Sequence, residues 1–165
     1  MTRPTFDPRA ALQVLASHRV KFVLIGGLAA NVLGSPVVTL DLDICYARDP
    51  ENLERLAAAL TELHARLRGA PPDVPFLLDA KTLKAGDHFT FETSAGSLDC
   101  LGTPAGTMGY NDLHARAESA VIADHPVAVA ALDDLIRMKR AAGRPKDLLA
   151  VEELVALRDE IEGSD

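Results

Sequence analysis

The stretch Phe22–Tyr46, FVLIGGLAANVLGSPVVTLDLDICY, decides the fold. It opens with an apolar run, Phe22 to Ile25, of the length of a buried strand. Gly26-Gly27 follow at once, and Leu28 to Leu33 read as one or two turns of helix. A second apolar run closes the stretch and carries two acids, Asp41 and Asp43. Strand side chains alternate between faces, so Asp41 and Asp43 are expected to point one way, and Leu40, Leu42 and Ile44 into the core. Two carboxylates on one face repel each other, and burying them costs free energy unless a cation lies between them. A hard divalent ion with oxygen ligands satisfies that need, and Mg²⁺ keeps open positions for substrate phosphates.

The glycines supply the other half of such a site. Without a Cβ, Gly26 and Gly27 let backbone approach a ligand closely and are expected at positive φ. The helix after them would aim free N–H groups at a phosphate. Taken singly, each piece has a plainer reading: Gly-Gly also marks ordinary tight turns, and Asp-x-Asp also fits a solvated edge strand.

Together, Gly26-Gly27, thirteen intervening residues and Asp41-Leu42-Asp43 resemble the signature of the DNA polymerase β-like nucleotidyltransferase superfamily. In that superfamily a strand ends in Gly-Gly or Gly-Ser, a short helix follows, and the next strand carries Asp-x-Asp. The resemblance implies a third carboxylate on a later strand, and Asp99 in Gly-Ser-Leu-Asp-Cys-Leu matches it. It also implies a nucleoside triphosphate substrate with Mg²⁺, or Mn²⁺, held by Asp41, Asp43 and Asp99. Members often carry a basic residue shortly before the Asp-x-Asp strand, whereas this chain has Val37-Val38.

Composition agrees with one soluble domain over residues 1–165, with 48% apolar residues and no Trp. No apolar run approaches the length of a membrane span, and MTRPTFDPRA lacks a signal-peptide core, so a cytoplasmic protein is expected, with no membrane partner. Cys45 and Cys100 lie in apolar runs and read as buried free thiols. The net charge is −7 with no dense Lys/Arg block, which argues against strong non-specific nucleic-acid binding. A small RNA end remains open as a substrate, because a few local cations suffice to dock it.

In chain order, Asp7 to His18 reads as a helix capped by Asp7 with Pro8 at its first position. Asp49-Pro50-Glu51 starts another, expected to run to about Arg68 with Leu53, Leu56, Leu60, Leu63 and Leu67 as its apolar stripe; His64 beside that stripe reads as a helix residue and not a ligand. Gly69 to Pro75 is a break, Phe76 to Leu78 a short strand, and Asp79 to Asp87 a polar loop with Lys81 and Lys84. His88 to Thr93 and Ser97 to Gly102 are strands, with Leu98 and Cys100 opposite Asp99. Tyr110 to Ala117 is helical, and a small hairpin spans Ala120 to Val129. Ala131 to Ala142 is a helix stopped by Gly143, and Pro145 starts a last helix to about Glu160, followed by a fraying tail. The expected fold class is α+β: a small mixed β-sheet flanked by helices, with a helical C-terminal end, which the nucleotidyltransferase resemblance also implies.

The segment LDDLIRMKRAAGRPKDLLAVEEL, Leu132 to Leu154, carries a second resemblance, to the tail of AbiEii-type and related minimal nucleotidyltransferases of prokaryotic toxin–antitoxin systems. There a Lys on one helix precedes Arg-x-Lys-Asp at the start of the next, and Lys139, Arg144, Lys146 and Asp147 match. The resemblance implies that Lys139 reaches the triphosphate and stabilises the leaving pyrophosphate, with Asp147 near the nucleotide. A cognate toxin or antitoxin partner follows from the same likeness. The acceptor hydroxyl stays open between a protein, a tRNA end and a small molecule. A catalytically silent nucleotide-binding or antitoxin-like protein is the alternative.

Overall fold

The computed structural model describes residues 4–71, 73 and 76–164. Asp7 caps α1 (Pro8–Ser17), accepting from the Ala10 N–H at 3.1 Å with Pro8 in the first turn. The chain then enters β1 (Phe22–Ile25), α2 (Gly26–Val32) and β2 (Asp41–Tyr46). β2 returns antiparallel to β1, with Ile25 opposite Asp43 and Phe22 opposite Tyr46. This hairpin with a helix in its connection is the frame on which the acids are carried.

α3 (Pro50–Glu62) starts as expected, with Asp49 accepting from the Asn52 N–H. It stops at Glu62 and does not reach Arg68. His64 takes φ +53°, the chain reverses, and β3 (Arg66–Leu67) joins the sheet edge. Leu67 therefore faces Phe91 across a strand ladder, although its spacing from Leu63 continues the helical stripe. Phe76 to Leu78 form no ladder; Phe76 instead packs its ring on Phe89 and Phe91, at centroid distances of 6.3 and 6.1 Å. Pro72, Val74 and Pro75 of the break expected before it lie outside the described residues. The segment expected as a polar loop contains α4 (Ala80–Ala85): Asp79 caps it through the Thr82 N–H at 2.8 Å, and Leu83 is buried beneath it. A single buried leucine gives too little periodicity for this short helix to show in the sequence.

β4 (His88–Thr93) and β5 (Gly96–Leu101) form the second hairpin. After α5 (Tyr110–His114) comes a third, β6 (Glu118–Ile122) and β7 (His125–Val129), turning at Ala123 and Asp124, both at positive φ. α6 (Leu132–Ala142) ends in left-handed Gly143, at φ +67°. α7 (Pro145–Gly163) follows and extends beyond the expected Glu160, so Gly163 is helical; Asp165 lies outside the described residues.

The strands form one seven-stranded sheet in the order β3-β4-β5-β2-β1-β7-β6. β2–β5 and β1–β7 are parallel and the other pairs antiparallel, so the sheet is mixed. Alternation sorts the central strands into two faces. Leu42, Ile44, Phe89, Phe91, Leu98 and Cys100 are buried in one core with the apolar stripes of α1 and α3. Asp41, Asp43, His88, Thr90, Glu92, Ser97 and Asp99 occupy the other, open face. Leu40 does not enter the core: it precedes the first ladder residue and is 69% exposed, as are Val37 and Val38 at 50% and 85%. Both cysteines are buried and free, and burial pushes the Cys45 thiol up to about 12.

Candidate active site

The register of two parallel strands brings the acids together. Asp43 of β2 lies opposite Asp99 of β5, and Asp41 opposite Ser97. Asp41 is exposed, while Asp43 and Asp99 are half-buried. Burial, the neighbouring Asp99 charge, a hydrogen bond shared with Asp99 and the Asp41 charge push the Asp43 carboxyl up to about 7; the Lys139 charge opposes this. Asp99 is also raised, first by burial, with Arg68 acting against the shift. The two carboxyls crowd each other, and Arg68 partly offsets that crowding at Asp99.

Gly26 underlies this pair. It takes φ +72°, and a Cβ there would collide with the Asp43 carboxylate. Only glycine lets the end of β1 pass so close to Asp43. Gly27 differs from expectation: its φ is not positive, and its open side faces Thr39, whose Cβ would be 3.0 Å from an added Cβ. α2 begins here with Ile25 at its N-cap and no side-chain cap, so among the described residues its first N–H groups have no side-chain acceptor.

Lys139, in the last turn of α6, is close enough to Asp43 for its charge to lower that carboxyl's pKa. Its Nζ lies 3.4 Å from Asp147, which is 1% exposed. Asp147 also accepts from Arg144 Nε at 2.6 Å and from the Arg144 N–H at 3.2 Å, closing the first turn of α7. Asp147 is therefore a buried anchor lying behind Lys139, held down to about 2 first by the Arg144 hydrogen bond. Lys146 is exposed.

Two further residues belong to the site. Arg68, at the end of β3, donates from Nη2 to Asp99 at 3.1 Å and from Nε to Glu92 at 2.9 Å. Glu92 in turn accepts from the Ser97 hydroxyl at 3.0 Å. No linear signal marks either residue, because the contact exists only once β3 and β4 pair beside β5.

Among the described residues, no three Asp, Glu, His or Cys side chains stand grouped closely enough to hold an ion as they are. Asp99 is engaged by Arg68, and Asp41 is turned to solvent. The donor set nevertheless fits a hard divalent cation: three carboxylates, oxygen donors only, with Asp43 and Asp99 in register on adjacent strands. Two depressions of about 400 and 420 Å³ lie at the other end of β1 and β2, around Lys21 and Tyr110, and include none of these acids. The carboxylates occupy an open sheet face outside both depressions. No described helix is long and apolar enough to cross a membrane.

No protein-family model and no curated protein sequence matches the chain. Solved structures do. The lincosamide antibiotic adenylyltransferase LnuA, in its lincomycin-bound crystal structure, superposes with a TM-score of 0.59 at 13% identity, covering 94% of this chain and 99% of that one. A candidate nucleotidyltransferase of Thermotoga maritima gives 0.53 at 16% identity, covering 94% and 91%. The antibiotic-resistance factor ANT(2'')-Ia gives 0.52 at 15% identity, covering 95% and 92%. The chain thus has a nucleotidyltransferase-like fold, spanning nearly all of each chain compared.

Proposed function

We propose that this chain is a Mg²⁺-dependent nucleotidyltransferase, moving a nucleoside monophosphate from a nucleoside triphosphate to an acceptor hydroxyl. The observation that carries the proposal is the register of Asp43 and Asp99 over the Gly26 backbone, because it gathers acids from separate strands beside a side-chain-free approach. The shared fold with an adenylyltransferase supports it. Asp41, Asp43 and Asp99 would hold Mg²⁺, or Mn²⁺ in its place. When bound, the ion neutralises triphosphate charge and favours the ionised acceptor hydroxyl.

The chain's own groups do the rest. Gly26 and Gly27 admit the triphosphate to the start of α2, where uncapped N–H groups face it. Lys139, held by Asp147, presents a positive charge to the leaving pyrophosphate. Asp99 accepts the acceptor's proton as its oxygen attacks the α-phosphorus in line and the bond to pyrophosphate breaks. Asp147 serves the nucleotide through Lys139.

The acceptor reading follows from charge and from the rim. The net charge is −7, and Val37, Val38 and Leu40 present apolar surface beside Asp41 where a cation would grip a polyanion. A small-molecule or protein hydroxyl fits that rim better than a tRNA end. The lincomycin bound in LnuA lends weight to a small molecule. The match of Lys139, Arg144, Lys146 and Asp147 to the AbiEii-type tail supports a place among toxin–antitoxin nucleotidyltransferases, with a cognate partner.

The test is incubation with each α-labelled triphosphate, Mg²⁺ and cell lysate, with identification of what becomes labelled. Label transfer that is lost in Asp41→Ala/Asp43→Ala supports the proposal; equal labelling by that double variant refutes it. One observation favours a second reading, a nucleotide-binding protein without turnover: Arg68 already neutralises Asp99. That reading expects Mg²⁺–triphosphate binding with no pyrophosphate release.

A further inference from the structure

The open sheet face carries four acids, Asp41, Asp43, Glu92 and Asp99, on adjacent strands, and Arg68 pairs with two of them, Glu92 and Asp99. Arg68 bridges Glu92 and Asp99 through separate nitrogens, so its fork spans adjacent strands. The side chain is 37% exposed, and its partners Glu92 and Asp99 are 31% and 21% exposed. Its backbone N–H donates to the Thr90 carbonyl at 2.9 Å. Beyond it Gly69 takes φ +79°, and among the described residues nothing lies within 4 Å of a Cβ added there. An arginine does not lose its proton in a protein, so it leaves a carboxylate only when another cation takes its place.

We infer that Arg68 is a positioning residue for the metal site: a built-in counter-ion that neutralises Asp99 when no metal is bound and yields it when a divalent cation arrives. The inference rests on the metal-site reading given above. Glu92 is what makes the exchange reversible. It retains the Nε contact, so the guanidinium can release Asp99 through Nη2 without leaving the site. Arg68 therefore opposes metal binding in the absence of nucleotide. The triphosphate's added negative charge tips the exchange towards the metal, so the site binds the ion weakly alone and more tightly when a substrate is present.

The test uses Mn²⁺ alone, titrated into the full-length protein by calorimetry and followed by thermal unfolding. Arg68→Gln removes the competing charge from direct contact with Asp99 and is expected to tighten Mn²⁺ binding about tenfold, as one partly exposed unit charge at contact distance allows. Arg68→Lys keeps the charge but cannot span both acids, so its affinity should fall between wild type and Arg68→Gln. It also keeps the question answerable if Arg68→Gln does not fold. The rise in Tm on adding Mn²⁺ should be larger in both variants than in wild type, whereas a purely structural role would lower Tm equally with and without the ion.

Asp43→Asn separates the metal site from the counter-ion role of Arg68. If Asp43→Asn loses Mn²⁺ binding while both Arg68 variants bind no tighter than wild type, the counter-ion inference is overturned and the metal site stands. If Asp43→Asn binds Mn²⁺ as wild type does, or no variant binds it, both fall.

Discussion

Asp43 and Asp99 are direct neighbours across the parallel strands β2 and β5, and burial together with the Asp99 charge raises the Asp43 carboxyl. Two acids kept this close, one of them raised to about 7, are poorly arranged for stability and well arranged for a divalent cation. If Asp99 takes the acceptor's proton, its effect belongs mainly to the transition state. Asp99→Asn is therefore expected to lower turnover by at least about a hundredfold while triphosphate affinity changes much less. Pyrophosphate release with an identified acceptor, beside calorimetric triphosphate binding, checks both halves. Intact turnover would remove Asp99 from the mechanism.

The two glycines should separate. Gly26→Ala strains a left-handed residue and drives a methyl into the Asp43 carboxylate, so it should cost roughly 1–3 kcal/mol of stability and weaken Mn²⁺ binding. Gly27→Val has ordinary backbone angles but crowds Thr39 and the approach to α2. Its expected effect is loss of triphosphate affinity with metal binding little changed. Denaturant melts and paired titrations distinguish the two patterns; identical profiles would refute the separate roles.

Lys139 and Asp147 should also differ. Lys139→Met removes a charge that is 36% exposed and leaves its helix intact, so triphosphate affinity should drop with little change in Tm. Asp147→Ala removes a 1% exposed carboxylate that closes the first turn of α7 and holds Lys139. It should lose on the order of 1 kcal/mol from the lost cap as well as triphosphate affinity. An Asp147→Ala protein with wild-type nucleotide binding would show that Lys139 needs no anchor.

Acid stability should depend on Asp112. Its carboxyl is held down to about 2 by the Met108 N–H, then by Arg116, with Arg137 adding its charge. A folded pKa below the ordinary 3.8 means stabilisation that is complete above about pH 4 and lost as pH falls through about 2. Asp112→Asn should lower Tm at neutral pH and flatten the decline of Tm between about pH 4 and pH 2, where Asp147 contributes a similar decline. A variant whose acid limb follows wild type would show that this ion cluster does not couple to folding.

The sequence by itself determined the strand–helix–strand frame that carries the candidate site. Phe22–Ile25, Gly26-Gly27 and Asp41-Leu42-Asp43 were legible because each is local: an apolar run, a residue without a Cβ, and a two-residue alternation. Asp7, Asp49, Pro8, Pro50 and Gly143 marked helix ends for the same reason, since a cap acts within one turn. Tertiary structure decided the rest. Leu67 continued a helical stripe in the sequence, yet it became a strand residue because pairing with Phe91 outweighed a weak local preference. Leu40 was apolar and in phase with the core residues, but it lay one residue before the ladder and was left exposed. Asp99 met Asp43 only through the register of two parallel strands, and Arg68 met Asp99 only through a further pairing at the sheet edge. Local chemistry can name an acid, but its partners lie dozens of residues away, and only the folded sheet sets their distance.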